Sequence, residues 1–205
     1  MAISTLLVDL DGVLRLWPKD CSALEDAHDL PIGSIVKTAF EPTLLEQATT
    51  GKLSDHAWRN EVERRLARAY PSSRIKEAVV AWSQHVGSVH GEVLRLVTHA
   101  RTKFAVGLIT NATDRLQSDL AALRLAEHLD FIVNSSDVGF AKPSRQIFEH
   151  ALAIAGAQPS ETLFVDDSLS NVTAANALGI RTHHFSSVQG LSDFMQSAGL
   201  PANAA

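Results

Sequence analysis

Two tight groups of acidic residues have a spacing that suits chemistry better than solubility. Asp9 and Asp11 stand two residues apart, directly before Gly12, and Asp166 and Asp167 are adjacent. A glycine permits a sharp turn, so both members of the first pair, or one carboxylate and one backbone carbonyl, could aim at a single ion. Four carboxylates converging without compensation would repel one another and raise their own pKa values. A hard divalent cation removes that conflict, and oxygen-only ligation by Asp9, Asp11, Asp166 and Asp167 favours Mg2+ over zinc. Lys142, together with the backbone amides after Asp9 and Thr110, would then hold an anion beside the metal.

The elements that must position these groups follow from hydrophobic periodicity. Residues 3–8 read as a buried strand ending at Asp9, and residues 104–109 as a strand ending at Thr110 and Asn111. Short strands are expected at 131–133, before a polar turn at 134–137, and at 163–165, before Asp166 and Asp167. A last strand is expected at 180–183. Helices are expected at 91–101, around Leu116, Leu120 and Leu123, at 169–178 and at 190–198. Another should begin at Ser144 as its cap, bury Ile147, Phe148, Ala151 and Leu152, and stop at Gly156. Such alternation implies an α/β fold, a doubly wound parallel (Rossmann-like) sheet. Ligands of such sheets bind beyond the carboxyl ends of the strands, where these polar residues fall.

Residues 16–87 interrupt the alternation without a convincing strand. Trp58, Val62 and Leu66 recur at helical spacing behind Ser54, as do Ile75, Val79, Trp82 and Val86. This stretch is expected to form a small all-helical cap over the site, with 1–15 and 88–205 as the α/β catalytic core. Arg15, Trp17, Lys52 and Trp58 are candidates to face a substrate, whereas core packing is the default for Trp58 and Trp82. Arg59, Arg64, Arg65 and Arg68 are expected on a solvated helix face, and residues 201–205 to be frayed.

These motifs, in order, resemble the haloacid dehalogenase-like (HAD) hydrolase superfamily. Its D-x-D-G-[TV] motif matches Asp9-Leu10-Asp11-Gly12-Val13, and its Thr or Ser after an apolar strand matches Thr110. Its Lys before Pro matches Lys142-Pro143, and its acidic pair matches Asp166-Asp167, with Asn171 downstream. Ser144 stands where the third motif often has Asp. The resemblance implies Asp9 as nucleophile and Asp11 as the acid and then base acting on the leaving group and on water. It implies that Thr110 and Lys142 bind a phosphoryl group, with Asn111, Arg15 and Trp17 as further substrate contacts. For the metal it implies Asp167 as direct ligand, Asp166 through water or as a second contact, and Asp11 also through its backbone carbonyl. Because Asp11 is present, phosphate transfer is favoured over carbon–halogen cleavage. A Mg2+-dependent phosphatase of a small sugar or nucleotide phosphate is the expectation, acting through an aspartyl-phosphate. A phosphomutase and a dehalogenase are the alternatives among enzymes. A receiver-type phosphoacceptor domain is the alternative outside them, although receivers place their acidic pair first and lack a helical insertion.

Composition narrows the partners. Lys and Arg number 18 against 23 Asp and Glu, a net charge of −5, so a general basic footprint for nucleic acid is missing. The single cysteine, Cys21, leaves no internal disulfide and no Cys-based zinc cluster. The nine His show no convincing ligand spacing. No apolar run approaches the ~20 residues of a membrane span, and residues 1–10 lack a basic leader and cleavage site. A cytoplasmic monomer or homodimer acting on a small phosphorylated molecule, with no membrane or nucleic-acid partner, is expected.

Overall fold

Leu6, Leu7 and Val8 are all fully buried, as expected for a parallel strand covered on both faces. Side chains alternate across a strand. Leu6 and Val8 therefore join one core, with Val93, Val97, Leu116, Leu120, Leu191 and Met195. Leu7 joins the opposite one, with Ile147, Phe148, Ala151 and Ala175.

The computed structural model describes residues 2–18 and 21–200; the tail expected to be frayed lies outside them. Strand β1 (Thr5–Val8) is followed by β2 (Arg15–Leu16) and by helices α1 (Ser22–Asp26), α2 (Ser34–Ala39), α3 (Pro42–Thr49), α4 (Asp55–Ala69) and α5 (Ile75–Ser83). Then come β3 (Ser88–Val89), α6 (Gly91–Ala100), β4 (Ala105–Thr110) and α7 (Leu116–Ala122). The chain continues through β5 (Phe131–Asn134), α8 (Ser135–Val138), α9 (Arg145–Ala155) and β6 (Thr162–Asp166). It closes with α10 (Leu169–Asn176), β7 (Arg181–His184) and α11 (Val188–Ser197).

Five strands form one parallel sheet in the order β5-β4-β1-β6-β7. From β1 the chain winds outward through β4 to β5, then returns to the other side of β1 for β6 and β7. The winding direction reverses beside β1, where a doubly wound sheet opens its ligand crevice. Helices cover both faces, so the α/β Rossmann-like fold expected from the alternation is present.

Helices α1 to α5 build a third core of their own around Trp58, Val62, Leu66, Ile75 and Val79. Ser54 Oγ caps α4 by accepting from Ala57 N at 3.2 Å. Glu41 caps α3 by accepting from Thr43 N and Leu44 N at 3.2 and 3.0 Å. Inside this core Glu25 is buried, but its carboxylate accepts from the amides of Gly33 and Ile35 at 2.6 and 2.7 Å.

Several details differ from the periodicity. The stretch has a strand at its base: Arg15 pairs with Val89 and Leu16 with Ser88 in an antiparallel ribbon. Two residues a side are too few to give a sequence pattern. The polar turn expected at 134–137 is helix α8, which Asn134 begins by accepting from Ser136 N at 3.4 Å. Ser144 precedes α9 without capping it; its hydroxyl bonds the Gln146 side chain instead. Val86 lies beyond the end of α5. Arg59 is not solvated: it forks onto Asp55 at 2.6 and 3.1 Å, bonds Ser83 Oγ at 2.9 Å, and lies over the rings of Trp58 and Trp82. No helix among the described residues is long and apolar enough to cross a membrane.

Glycine in a strand interior usually marks a close approach, and Gly107 in β4 is such a case. A Cβ there would lie 2.2 Å from the Phe131 ring on the neighbouring strand. Gly107→Ala is expected to destabilise the protein by ~1–3 kcal/mol, the usual cost of forcing extra volume into a packed core. Urea unfolding would measure it, and an unchanged midpoint would show that Phe131 yields freely.

Candidate active site

The three central strands, β4, β1 and β6, lead into polar side chains at the carboxyl end of the sheet. β1 runs into Asp9, β4 ends on Thr110 and β6 on Asp166, and the register aligns Val8 with Leu108 and Val165. Asp9, Thr110 and Asp166 are all buried, although such groups leave water only when they are paired.

The pairing is supplied by Lys142, which arrives from the loop after α8 and is itself buried. Its Nζ lies 2.7 Å from Asp9 Oδ1 and 2.6 Å from Asp166 Oδ2. Two reciprocal bonds hold its backbone. Asn111 Nδ2 donates to Lys142 O at 2.8 Å, and Lys142 N donates to Asn111 Oδ1 at 2.7 Å. Asn111, expected among the substrate contacts, turns both ends of its side-chain amide to the lysine loop.

Asp166 is fully enclosed, at 0% exposure. Besides Lys142 it accepts from Ser168 N at 2.8 Å and from Asn171 Nδ2, at 3.0 Å to each oxygen. Asp167 beside it is exposed. Partial desolvation, and then the neighbouring Asp166 charge, raise the Asp167 carboxyl above its ordinary value, with Lys142 opposing. Asp9 feels the same forces more strongly. Its carboxyl is pushed up to about 7, by burial first and also by the Asp166 charge, with Lys142 opposing. Its Oδ1 also accepts from Leu10 N at 2.7 Å, so that amide, expected to help hold an anion, already serves the carboxylate.

Asp9, Asp166 and Asp167 each offer a carboxylate oxygen, all within 4.8 Å of one another. Lys142 alone cannot balance three such groups. A further cation would lower the raised carboxyls, and an all-carboxylate donor set suits a hard divalent ion such as Mg2+. The residues present therefore fit that metal.

The fourth acid stands apart. Asp11 Oδ1 accepts from Arg15 Nε at 2.6 Å and from Trp17 Nε1 at 2.7 Å, while Oδ2 accepts from Arg15 Nη2 at 3.0 Å. The structure thus assembles three of the four expected carboxylates, because Arg15 and Trp17 claim the fourth. Arg15 is also not free for substrate, since it is 3% exposed with its remaining terminal nitrogen 3.0 Å from Asp119 Oδ2. Trp17 is 45% exposed, with its ring over the Arg15 guanidinium. Lys52 extends along the surface toward Glu46 at 3.6 Å, and Trp58 is buried in the helical core with its Nε1 on Ala39 O.

Thr110 Oγ1 is buried and has no hydrogen-bond partner among the described residues. An unsatisfied buried hydroxyl costs ~1–3 kcal/mol, so this position is built for an acceptor or donor that a ligand brings. Asp119 and Arg115 were not legible as part of the site. They sit on one helix at ordinary ion-pair spacing, and only the fold carries Arg15 to them.

Residues 3–179 match the haloacid dehalogenase-like hydrolase family. The chain belongs to that family. Bifunctional epoxide hydrolase 2 of Mus musculus is 29% identical to it over 201 residues, covering 89% of this chain and 36% of that protein. The chain thus spans little more than a third of that relative's length. D-ribitol-5-phosphate phosphatase of Bacteroides thetaiotaomicron is 26% identical over 146 residues, covering 68% of this chain and 69% of that one. Among solved structures, a HAD family enzyme of Bacteroides thetaiotaomicron in complex with magnesium and inorganic phosphate superposes with a TM-score of 0.72. The identity is 24%, with 89% of this chain and 93% of that chain covered. The superposition shows a shared fold.

Gly12 shows how tightly this HAD-like site is assembled. It has φ +80°, and a Cβ there would stand 2.0 Å from Asp167 Oδ2. Gly12→Ala is expected to cost ~1–2 kcal/mol for the left-handed backbone and to displace Asp167 from the cluster. The rise in Tm on adding Mg2+ should shrink in this variant. An undiminished rise would show that Asp167 does not hold the ion.

Proposed function

We propose that this HAD-like hydrolase is a Mg2+-dependent phosphatase of a small phosphomonoester, of the sugar or nucleotide phosphate class, working through an aspartyl-phosphate. Residues 16–87 serve as its cap, and it acts in the cytoplasm as a monomer or homodimer. The observation that carries the reading is the division of the four acids. Three gather where a cation fits, and the fourth, Asp11, is held aside as a separate carboxyl. A carbon–halogen bond needs no proton on its leaving group, whereas an alkoxide leaving a phosphate does. The relative named as a D-ribitol-5-phosphate phosphatase supports the same class.

Asp9 Oδ attacks phosphorus and the ester P–O bond breaks, its electron pair leaving with the alkoxide oxygen. Asp11 gives that oxygen a proton. Water then attacks the phosphorus of the aspartyl-phosphate and yields a proton to Asp11, and the bond to Asp9 breaks to release phosphate. Dividing one hard displacement in two is the benefit of the covalent step. Lys142 balances the charge of Asp9 and of the incoming phosphoryl oxygens, and the Thr110 hydroxyl donates to one of them. Mg2+, held by Asp9, Asp166 and Asp167 with the backbone carbonyl of Asp11, supplies electrostatic stabilisation of the transferring group when bound.

Asp9→Asn should abolish phosphate release across a panel of metabolite phosphates with little change in Tm, and chelation should silence the wild-type protein until Mg2+ is restored. Full turnover by Asp9→Asn would sink the nucleophile assignment. A single stoichiometric phosphorylation without turnover would instead favour a receiver-type phosphoacceptor. Asp11→Asn should lose more activity on alkyl phosphates than on aryl phosphates, on the order of 10²-fold more, because a phenolate leaves without protonation. Equal losses on both would argue against its acid role.

A further inference from the structure

Asp11 is held by more contacts than a surface carboxylate needs. A carboxylate offers about four lone-pair sites. Arg15 Nε and Trp17 Nε1 occupy both on Oδ1, at 2.6 and 2.7 Å, and Arg15 Nη2 takes one on Oδ2 at 3.0 Å. One site on Oδ2 is left for a leaving-group oxygen or a water.

Arg15 cannot easily turn elsewhere. Its backbone is tied at both ends: its N donates to Leu10 O at 2.7 Å and its O accepts from Gly12 N at 2.9 Å. Its stem runs past Gly87, where a Cβ would approach its Cγ to 2.9 Å. Its third nitrogen in use, Nη1, is anchored 3.0 Å from Asp119 Oδ2. Asp119 is itself held by Arg115 Nε at 2.8 Å. Arg115 in turn donates to the carbonyls of Ser83 and His85, at the end of the helical segment. Four alternating charges thus run from the helical segment to Asp11. Desolvating such a chain is offset only by close geometry and satisfied hydrogen bonds, and here that geometry has a use.

That use follows from where Asp11 would otherwise go. It lies two residues from Asp9, beside a cluster of three carboxylates that suits a divalent cation. A loose Asp11 side chain would be drawn onto the same cation and lost to the leaving group. We propose that Arg15 is the positioning residue of the reaction: its planar fork, anchored by Asp119, keeps the Asp11 carboxyl out of the cation cluster with Oδ2 toward the leaving group. This rests on the acid role of Asp11 proposed above.

Lysine keeps the charge of Arg15 but cannot make the two-point fork, so Arg15→Lys separates positioning from charge. The measurement is kcat and KM on a sugar phosphate and on an aryl phosphate, with Mg2+ saturating, for wild type, Asp11→Asn, Arg15→Lys and Asp119→Asn. Turnover of both substrates by wild type establishes phosphatase activity first. Arg15→Lys should then lose kcat on the sugar phosphate at least ~10-fold more than on the aryl phosphate, with KM little changed, as a partial copy of Asp11→Asn. Asp119→Asn should show the same selectivity more weakly, and it decides the matter if Arg15→Lys does not fold. Equal losses on both substrates in Arg15→Lys and Asp119→Asn, beside a selective loss in Asp11→Asn, would overturn the positioning role. A nonselective Asp11→Asn would overturn the acid role, and the positioning role with it.

Discussion

Charge balance at one end of the sheet is the constraint on which the site depends. Asp9, Asp166 and Asp167 bring oxygens within 4.8 Å of one another, and at an effective dielectric near 20 each pair repels by about 3 kcal/mol. Lys142, in contact with Asp9 and Asp166, offsets part of that cost. Its loop must therefore cross over the strand ends and stay there, which explains why both ends of the Asn111 amide are committed to the Lys142 backbone. Asn171 and Ser168 N add further donors to Asp166. What remains uncompensated is negative charge next to an unpaired threonine hydroxyl, a place suited to a cation with a bound anion.

A second layer of charge joins this centre to the helices of the insertion. Thr113 Oγ1 donates to Asp55 Oδ1 at 3.0 Å, and Asp55 N donates to Asp114 Oδ1 at 2.7 Å. Arg115 reaches the last residues of α5 and the loop beyond. The loop after β4 thus does two jobs. Its first residue, Asn111, holds the Lys142 backbone, and its later ones fasten the insertion. Arg59, packed against Trp58 and Trp82 and forked onto Asp55, braces that fastening from the other side.

Much of this was legible along the chain because parallel strands buried on both faces have a plain signature. A run such as Leu6-Leu7-Val8 that breaks abruptly at Asp9 marks a strand leaving the core, and the same break occurs at Thr110 and Asp166. The ribbon of β2 and β3 escaped because two-residue strands carry no period. Ser144 looked like a cap because serine is suited to capping, but its hydroxyl found Gln146 nearer. Arg59 looked solvated because its apolar cover comes from Trp82, which lies on a different helix.

The sequence by itself determined the sheet, the order of the strand-end residues and the chemistry those residue types allow, since these depend on local periodicity and on side-chain type. Only the tertiary structure decided which partner each polar group takes. The Asn111 side-chain amide holds the Lys142 backbone, and Arg15 and Trp17 hold Asp11. Partner choice is settled by distance between segments far apart in the chain, such as Arg15 and Asp119. A buried donor takes whichever acceptor the fold brings within about 3 Å, and no spacing along the chain encodes that meeting.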